Sequence, residues 1–324
     1  MKISIIGAGS FGTALAQVLS KNNEVLLIAR DMEIVESINK KNINHKYFPN
    51  IILNKEITVF QSYKDIGNSD IIILAIPSKV VLVEAKKIKK YSLVQNFLLI
   101  NTAKGFSTED ETILKSLKKI HENSCSILGP TFASNLIKNE YSAFTVASDQ
   151  NYNFTIVKNI FKDTNIILDY SENYQVIEMA SILKNIFAIA NGLYSSIDDS
   201  INTKYAFLTQ SYKEMNMILE HFFGNISLDY TKNGVFGDLL LTSLNDQSRN
   251  KTLGQLIGRG FYKVDDSSSI TLEGIRSTKK IYKIVSKEKL NTPIINFVFE
   301  VLNNENVHLS FNRCMKNLTN NEIV

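Results

Sequence analysis

The sequence predicts a doubly wound α/β sheet, mostly parallel, followed by an all-helical half. In residues 1–172 short, continuously apolar runs alternate with helical patterns, as expected of parallel strands covered on both faces. A glycine-rich turn, "GAGSFG" (7–12), separates the first such run from the first helical stretch. Beyond about Ser171 helical periodicity takes over and strand signals become few. Two domains are therefore expected, 1–172 and 173–324, and 324 residues are enough to give each its own core.

In chain order, the expected strands are "KISIIG" (2–7), "EVLLIA" (24–29), "DIIILAI" (70–76), "NFLLIN" (96–101), "SCSILG" (124–129), "SAFTVA" (142–147) and "NIILDY" (165–170). Helical stretches are expected at 10–21, 31–40, 78–91, 109–120 and 151–162, and then at 173–193, 203–223, 236–244, 249–258, 271–287 and 292–302.

Composition narrows the function. Charged residues make up 21% and the net charge is +4, which suits anionic small molecules. No Lys/Arg block is interleaved with aromatics along one face, so no nucleic-acid partner is expected. The two cysteines, Cys125 and Cys314, lie far apart and point to free thiols in a reducing compartment. The four histidines form no ligand motif, so no metal site is expected. The N-terminal apolar run resembles a signal peptide superficially, but Gly7, Gly9 and Gly12 interrupt it. No later run approaches the ~20 apolar residues that span a bilayer, so no membrane insertion is expected.

Two motifs carry chemistry. "GAGSFG" matches G-x-G-x-x-G in the context that gives the pattern meaning, after a strand and opening a helix. Gly7 makes the tight turn, Gly9 admits a pyrophosphate and Gly12 lets helix pack on strand, as in a Rossmann-type dinucleotide site. At the end of the second strand stands Arg30, which suits the 2′-phosphate of NADPH by charge and fork geometry. Asp31 is adjacent, so NADH remains possible.

The second motif is "EMASILKNIFAIANGL" (178–193), a run of helix formers with one lysine. Ser181, Lys184, Ala188 and Asn191 share one face, while Met179, Ile182, Ile186, Ile189 and Leu193 fall mostly on the other. Lys184 is then either a lysine reaching water by its stem or a lysine placed in a pocket.

Five further segments bear on that choice: "INTAKGF" (100–106), "LGPTFASN" (128–135), "LKNIFAIANG" (183–192), "GDLLLTSLNDQSRN" (237–250) and "LEGIRSTK" (272–279). With the glycine turn they closely resemble, in order from residue 3 to about 302, the soluble bacterial NAD(P)-dependent glycerol-3-phosphate dehydrogenases. The resemblance implies reversible reduction of dihydroxyacetone phosphate to sn-glycerol 3-phosphate for glycerophospholipid synthesis, in a cytoplasmic enzyme that is commonly a homodimer. It places the catalytic lysine on Lys184. It places substrate contacts on Lys104, Gly129, Thr131, Lys184, Asp238, Ser248, Arg249 and Asn250. Cofactor contacts fall on Ser10, Phe11, Arg30, Lys104, Ala133 and Glu273, with Arg249 also near the cofactor. One departure stands out: the glycine-rich turn usual before the "TRG" segment is replaced by "SSIDDSINTKYAFLTQS" (195–211), with Gln210-Ser211 in place of Arg-Gly.

The chemistry agrees with that placement. A ketone that accepts hydride becomes an alkoxide and needs a donor and a proton source. Lys184 supplies both, and burial together with a second ammonium, Lys104, would bring its pKa toward neutrality. Asp238 is expected to counter its charge or hold a substrate hydroxyl. Ser248 reads as the N-cap of "RNKTLGQLI", a helix start that also offers N–H groups, Arg249 and Asn250 to a phosphate. Two other readings are a β-hydroxyacid dehydrogenase and a non-catalytic NADP-sensing module. The Lys184-Asn185 pair and the SRN cluster weigh against the first, and retention of Lys184 and Asp238 against the second.

Overall fold

The computed structural model describes residues 1–108, 111–198, 200–263 and 273–320. The first residues of the expected 109–120 and 271–287 helices, and Asp199 of the divergent segment, lie outside them. The chain divides into two compact units, Met1–Glu178 and Met179–Val324.

The first unit runs β1 (Lys2–Ile6), α1 (Ser10–Leu19), β2 (Glu24–Ile28), α2 (Met32–Lys41), β3 (Thr58–Phe60), a 3₁₀ turn (Tyr63–Ile66), β4 (Ile71–Leu74), α3 (Ser78–Tyr91), β5 (Leu98–Asn101), α4 (Ile113–Lys118), β6 (Ser124–Leu128), α5 (Ala133–Leu136), β7 (Ser142–Ala147), α6 (Asn151–Ile160) and β8 (Ile166–Ser171). The eight strands form one sheet in the order β3-β2-β1-β4-β5-β6-β7-β8. Every pairing is parallel except β6 with β7. Apolar residues are buried on both faces: Ile3, Ile5, Leu27 and Ile73 in one core, Ile6, Ile72, Leu74 and Leu99 in the other. That two-sided burial is why the strands read as unbroken apolar runs. β3 and α5 were not expected. β3 is a three-residue edge strand, too short for a period to register.

From its N-terminal end in the first unit, α7 (Tyr174–Tyr194) leads into the second, which continues with α8 (Ile201–Phe223), a π-helical turn (Asn233–Gly237), α9 (Asp238–Leu244), α10 (Arg249–Gly258), α11 (Glu273–Lys287), α12 (Pro293–Leu302) and α13 (Val307–Asn320). α13 was not expected. Residues 180–194 of α7 are all buried, so the two-faced helix that the Lys184 stripe suggested is corrected to one enclosed all round. α7 is also long and apolar enough to cross a membrane by length and composition (mean hydropathy 1.4), against the expectation that no later run comes near that length. Because 94% of that window is buried inside the protein, its apolar surface is already covered by packing. In the divergent segment, Ser200 caps α8 by accepting from Thr203 N, and Tyr194 Oη donates to the Ser200 carbonyl. Gln210 and Ser211 lie inside α8, where Ser211 is buried and donates to the Phe207 carbonyl.

Glu214 fixes the start of α12. Its two carboxylate oxygens accept from Ile294 N and Ile295 N, each at 2.9 Å, at a helix whose own N-cap, Thr292, offers no side-chain bond. Burial pushes the Glu214 carboxyl up to about 8 against the pull of those two N–H groups. An unfolded glutamate titrates near 4.5, so the folded chain holds the extra proton between the two values. Stability should therefore fall as pH rises through about 8. Thermal melts from pH 5 to 9 should show that decline in the wild type and a flatter curve in Glu214→Gln. An equal decline in both would mean that another group sets it.

Candidate functional site: a dinucleotide cradle and a buried lysine–aspartate pair

β1 is flanked by β2 on one side and β4 on the other. Its neighbours are thus reached by connections that run in opposite directions, which opens a crevice at the carboxyl ends of the strands. The glycine turn lies there. Gly7 has φ +110°, and a Cβ on it would stand 2.4 Å from the Ala75 carbonyl oxygen beyond β4. A Cβ on Gly12 would stand 1.9 Å from the Gly7 carbonyl oxygen, so only glycine lets α1 pack this closely. Gly9 faces open space and is the N-cap of α1 without a side-chain bond. The first N–H groups of α1, at Ser10 and Phe11, therefore point into a roomy cradle that fits a pyrophosphate. The Phe11 ring packs edge-on against Phe144 at 6.2 Å.

At the end of β2, Arg30 is exposed and its carbonyl accepts from Gln61 Nε2 at 3.0 Å. Asp31 is already engaged: it caps α2 by accepting from Glu33 N at 3.1 Å and pairs with Lys46 at 3.2 Å. The Lys46 hydrogen bond is the largest influence holding its carboxyl below the usual range. Along the same carboxyl edge, Lys104 follows β5 and donates to the Gly129 carbonyl, after β6, at 3.3 Å. A Cβ on Gly129 would meet the Ala143 carbonyl at 2.4 Å, and Thr131 donates its hydroxyl to that same carbonyl at 3.1 Å. Ala133 opens α5. The first unit thus brings Lys104, Gly129 and Thr131 together.

In the second unit Lys184 Nζ donates to Asp238 Oδ1 at 2.5 Å and to Thr242 Oγ1 at 2.8 Å. The Lys184 and Asp238 side chains are only 7% and 1% exposed, so Lys184 does not reach back to water. Thr242 was not singled out in the sequence, although it lies in the "GDLLLT" motif. The i, i+4 spacing from Asp238 places both on one face of α9, and the Thr242 hydroxyl also donates to the Asp238 carbonyl at 2.6 Å.

Ser248 caps α10 by accepting from Lys251 N at 3.3 Å. Arg249, the first residue of that helix, is exposed. α10 meets α7 where glycines face each other: a Cβ on Gly192 would stand 2.1 Å from the Lys251 carbonyl, and one on Gly254 would stand 2.2 Å from the Ile189 carbonyl. This close approach lets Asn250 Nδ2 donate to Asn185 Oδ1, next to Lys184, at 2.9 Å. Asn250 Oδ1 is buried without a hydrogen-bond partner and stands 2.6 Å from where a Cβ on Gly274, the residue after Glu273, would lie. Among the described residues, no group of three or more His, Cys, Asp or Glu is arranged to hold a metal.

A doubly wound sheet that opens through a glycine cradle, in one chain with a helical unit burying an ammonium–carboxylate pair, defines a two-unit dehydrogenase of the Rossmann class. The family model for the N-terminus of NAD-dependent glycerol-3-phosphate dehydrogenase matches residues 2–154, and that for its C-terminus matches residues 174–310. The chain belongs to the NAD-dependent glycerol-3-phosphate dehydrogenase family. It is 34% identical over 317 residues to glycerol-3-phosphate dehydrogenase (NAD(P)+) of Methanothermobacter thermautotrophicus, covering 95% of this chain and 96% of that one. It is 32% identical over 329 residues to the protein of that name from Orientia tsutsugamushi, covering 99% of each. The fold is similar to the crystal structure of glycerol-3-phosphate dehydrogenase from Coxiella burnetii, with a TM-score of 0.86, 23% identity and coverage of 97% of this chain and 98% of that one.

The buried pair has an energetic signature. Removing one partner of a buried ion pair leaves an uncompensated charge and costs about 3–5 kcal/mol, whereas replacing both with apolar groups costs far less. Asp238→Ala should lower the urea-unfolding free energy by that amount, and Lys184→Met with Asp238→Leu should lower it less than Asp238→Ala alone. A double variant less stable than Asp238→Ala would argue against charge compensation.

Proposed function

We propose that this chain is an oxidoreductase that catalyses the reversible NAD(P)H-dependent reduction of dihydroxyacetone phosphate to sn-glycerol 3-phosphate, supplying glycerophospholipid synthesis. Family membership gives the reaction, and the observation that carries the catalytic assignment is the enclosed Lys184 ammonium on Asp238 and Thr242. When bound, the reduced nicotinamide supplies the hydride. Lys184 donates to the carbonyl oxygen of the substrate, so that the charge developing there meets a fixed ammonium and the alkoxide receives a proton. Asp238 compensates the ammonium and, with Thr242, fixes its direction.

Residues 1–172 hold the cofactor and 173–324 supply the catalytic lysine. Gly7, Gly9, Ser10, Phe11 and Gly12 receive the pyrophosphate, with Lys104, Ala133, Arg249 and Glu273 as further cofactor contacts. Lys104, Gly129, Thr131, Ser248, Arg249 and Asn250 bind the substrate. Ser248 caps the helix start at which Arg249 offers a planar fork to a phosphate dianion. The expected setting is the cytoplasm, which suits two buried free thiols, and the expected partner is a second copy of the chain.

NADPH is the proposed cofactor, because Asp31, the carboxylate placed to receive ribose hydroxyls, is already committed to the α2 cap and to Lys46. The charge-assisted contact from Arg30 is worth roughly 1.5–3 kcal/mol. Arg30→Ala should accordingly raise the KM for NADPH much more than that for NADH, and equal effects would show that Arg30 does not read the 2′-phosphate.

The direct test of the reaction is loss of reduced-nicotinamide absorbance with purified protein, NADPH and dihydroxyacetone phosphate. Lys184→Ala should keep NADPH affinity near wild type while kcat falls at least ~10²-fold, as for loss of a general acid. A variant retaining more than about a tenth of wild-type kcat would remove Lys184 from that role.

A further inference from the structure

Among the buried carboxylates that the mechanism does not use is Glu178. Glu178, near the start of α7, lies in the first unit at the carboxyl ends of β5 and β6. Its Oε1 accepts from Ser126 Oγ at 2.9 Å, from Leu114 N at 3.0 Å and from Asn101 Nδ2 at 3.4 Å, and its Oε2 accepts from Leu114 N at 2.9 Å. Asn101 ends β5 and is fully buried. Its side chain closes the next turn from both sides, accepting from Ala103 N and donating to the Ala103 carbonyl, each at 3.0 Å. Asn101 Nδ2 also donates to Ser126 Oγ, on β6, at 3.1 Å. Lys104 follows Ala103 directly, and it donates to the carbonyl of Gly129, which follows β6.

These bonds form one chain of contacts, from Glu178 through Asn101 and Ser126 to the turns that carry Lys104 and Gly129–Thr131. We infer that Glu178 is a positioning residue for substrate binding: through Asn101 and Ser126 it sets the spacing of these two turns at the sheet edge. The inference rests on the reading above that Lys104, Gly129 and Thr131 contact the substrate.

In its ionised form a carboxylate suits this place, because it is then acceptor-only and two of its neighbours, the Leu114 N–H and the Asn101 amide, present donors to it. The Ser126 hydroxyl, which accepts from Asn101, must spend its proton on Glu178, and so the three side chains order one another. Glu178→Gln keeps the shape but sets an NH₂ against one of those donors. The amide of Asn101 or the Leu114 N–H must then give way, and the Lys104 turn follows Asn101. A displacement of about 1 Å in a binding site costs up to about a hundredfold.

The test compares full-length Glu178→Gln, Asn101→Ala, their double variant and Lys104→Met with the wild type. Initial rates are read against dihydroxyacetone phosphate, NADPH affinity by nicotinamide fluorescence, and the melting temperature by calorimetry. The expected result is a KM for dihydroxyacetone phosphate raised at least about tenfold in Glu178→Gln, with kcat within a factor of about two and NADPH affinity unchanged. Asn101→Ala should show the same pattern, and the double variant should be no worse than the poorer single one, because the two residues act through one path. Should Glu178→Gln fail to fold, Ser126→Ala and Asn101→Ala carry the same readout.

A lower melting temperature with unchanged KM would make Glu178 a purely structural cap of α4 and overturn the inference. Additive KM effects of Glu178→Gln and Asn101→Ala would overturn the shared path. If Lys104→Met raised the KM while Glu178→Gln did not, the positioning role would fall and the substrate role of Lys104 would stand. If Lys104→Met left the KM unchanged, the substrate reading itself would fall, and the positioning role with it.

Discussion

The second unit is organised around one constraint: an ammonium cannot be buried without a compensating charge and hydrogen-bond acceptors. Lys184 sits on a helix enclosed all round, where an isolated ion would cost several kcal/mol. Asp238 and Thr242 meet that demand from successive turns of α9. The start of α9 must therefore lie against the middle of α7, and the π-helical turn before it ends where Asp238 begins. The glycine contact between α7 and α10 is a second constraint on the same helix: Gly192 and Gly254 give a backbone approach that any side chain would prevent. Between them these contacts bring the start of α10, with Ser248, Arg249 and Asn250, to the helix that holds the lysine.

In the first unit the corresponding constraint is the parallel sheet. Strands β1 to β6 end along one edge, and the turns beyond that edge place their residues beside those of neighbouring strands. The glycine cradle, Arg30, Lys104 and Gly129–Thr131 follow successive strand ends for this reason. Here these turns are tied down by polar side chains, with buried Asn101 and Ser126 under the Lys104 turn and the partly exposed Asp31 beside Arg30. Glu178 and Glu214 do related work at helix starts. Each carboxylate supplies, from another part of its own unit, the N-terminal acceptor that α4 or α12 lacks locally. Both titrate above the ordinary glutamate range because burial outweighs the N–H groups they accept.

Much of this was legible in the sequence, and the reasons are local. Seven of the eight strands are legible as apolar runs, and most of them are buried on both faces. The exception, β3, has only three residues at a sheet edge. The glycine turn was legible because Gly7 and Gly12 answer contacts within a few residues or with the end of the adjoining strand. Ser248 read as a cap because an N-cap bond reaches only three residues along the chain. Less local features were missed or misjudged. The Lys184 stripe suggested a polar face, because a helix enclosed all round differs from an amphipathic one only in what surrounds it.

The sequence by itself determined the element types, the cradle, the cap of α10 and the presence of a lysine in an apolar helix, since each depends on periodicity or on neighbours close in the chain. The sequence offered Asp238 as a countercharge or a substrate contact, and only the tertiary structure showed it against the lysine, with Thr242 beside it. Asp238 is 54 residues away, Thr242 follows one helical turn later, and Glu178 reaches Leu114 across 64 positions. Such partners leave no periodic trace, because a buried charge needs compensation at a point in space, and the chain can bring that compensation from any element that packs there.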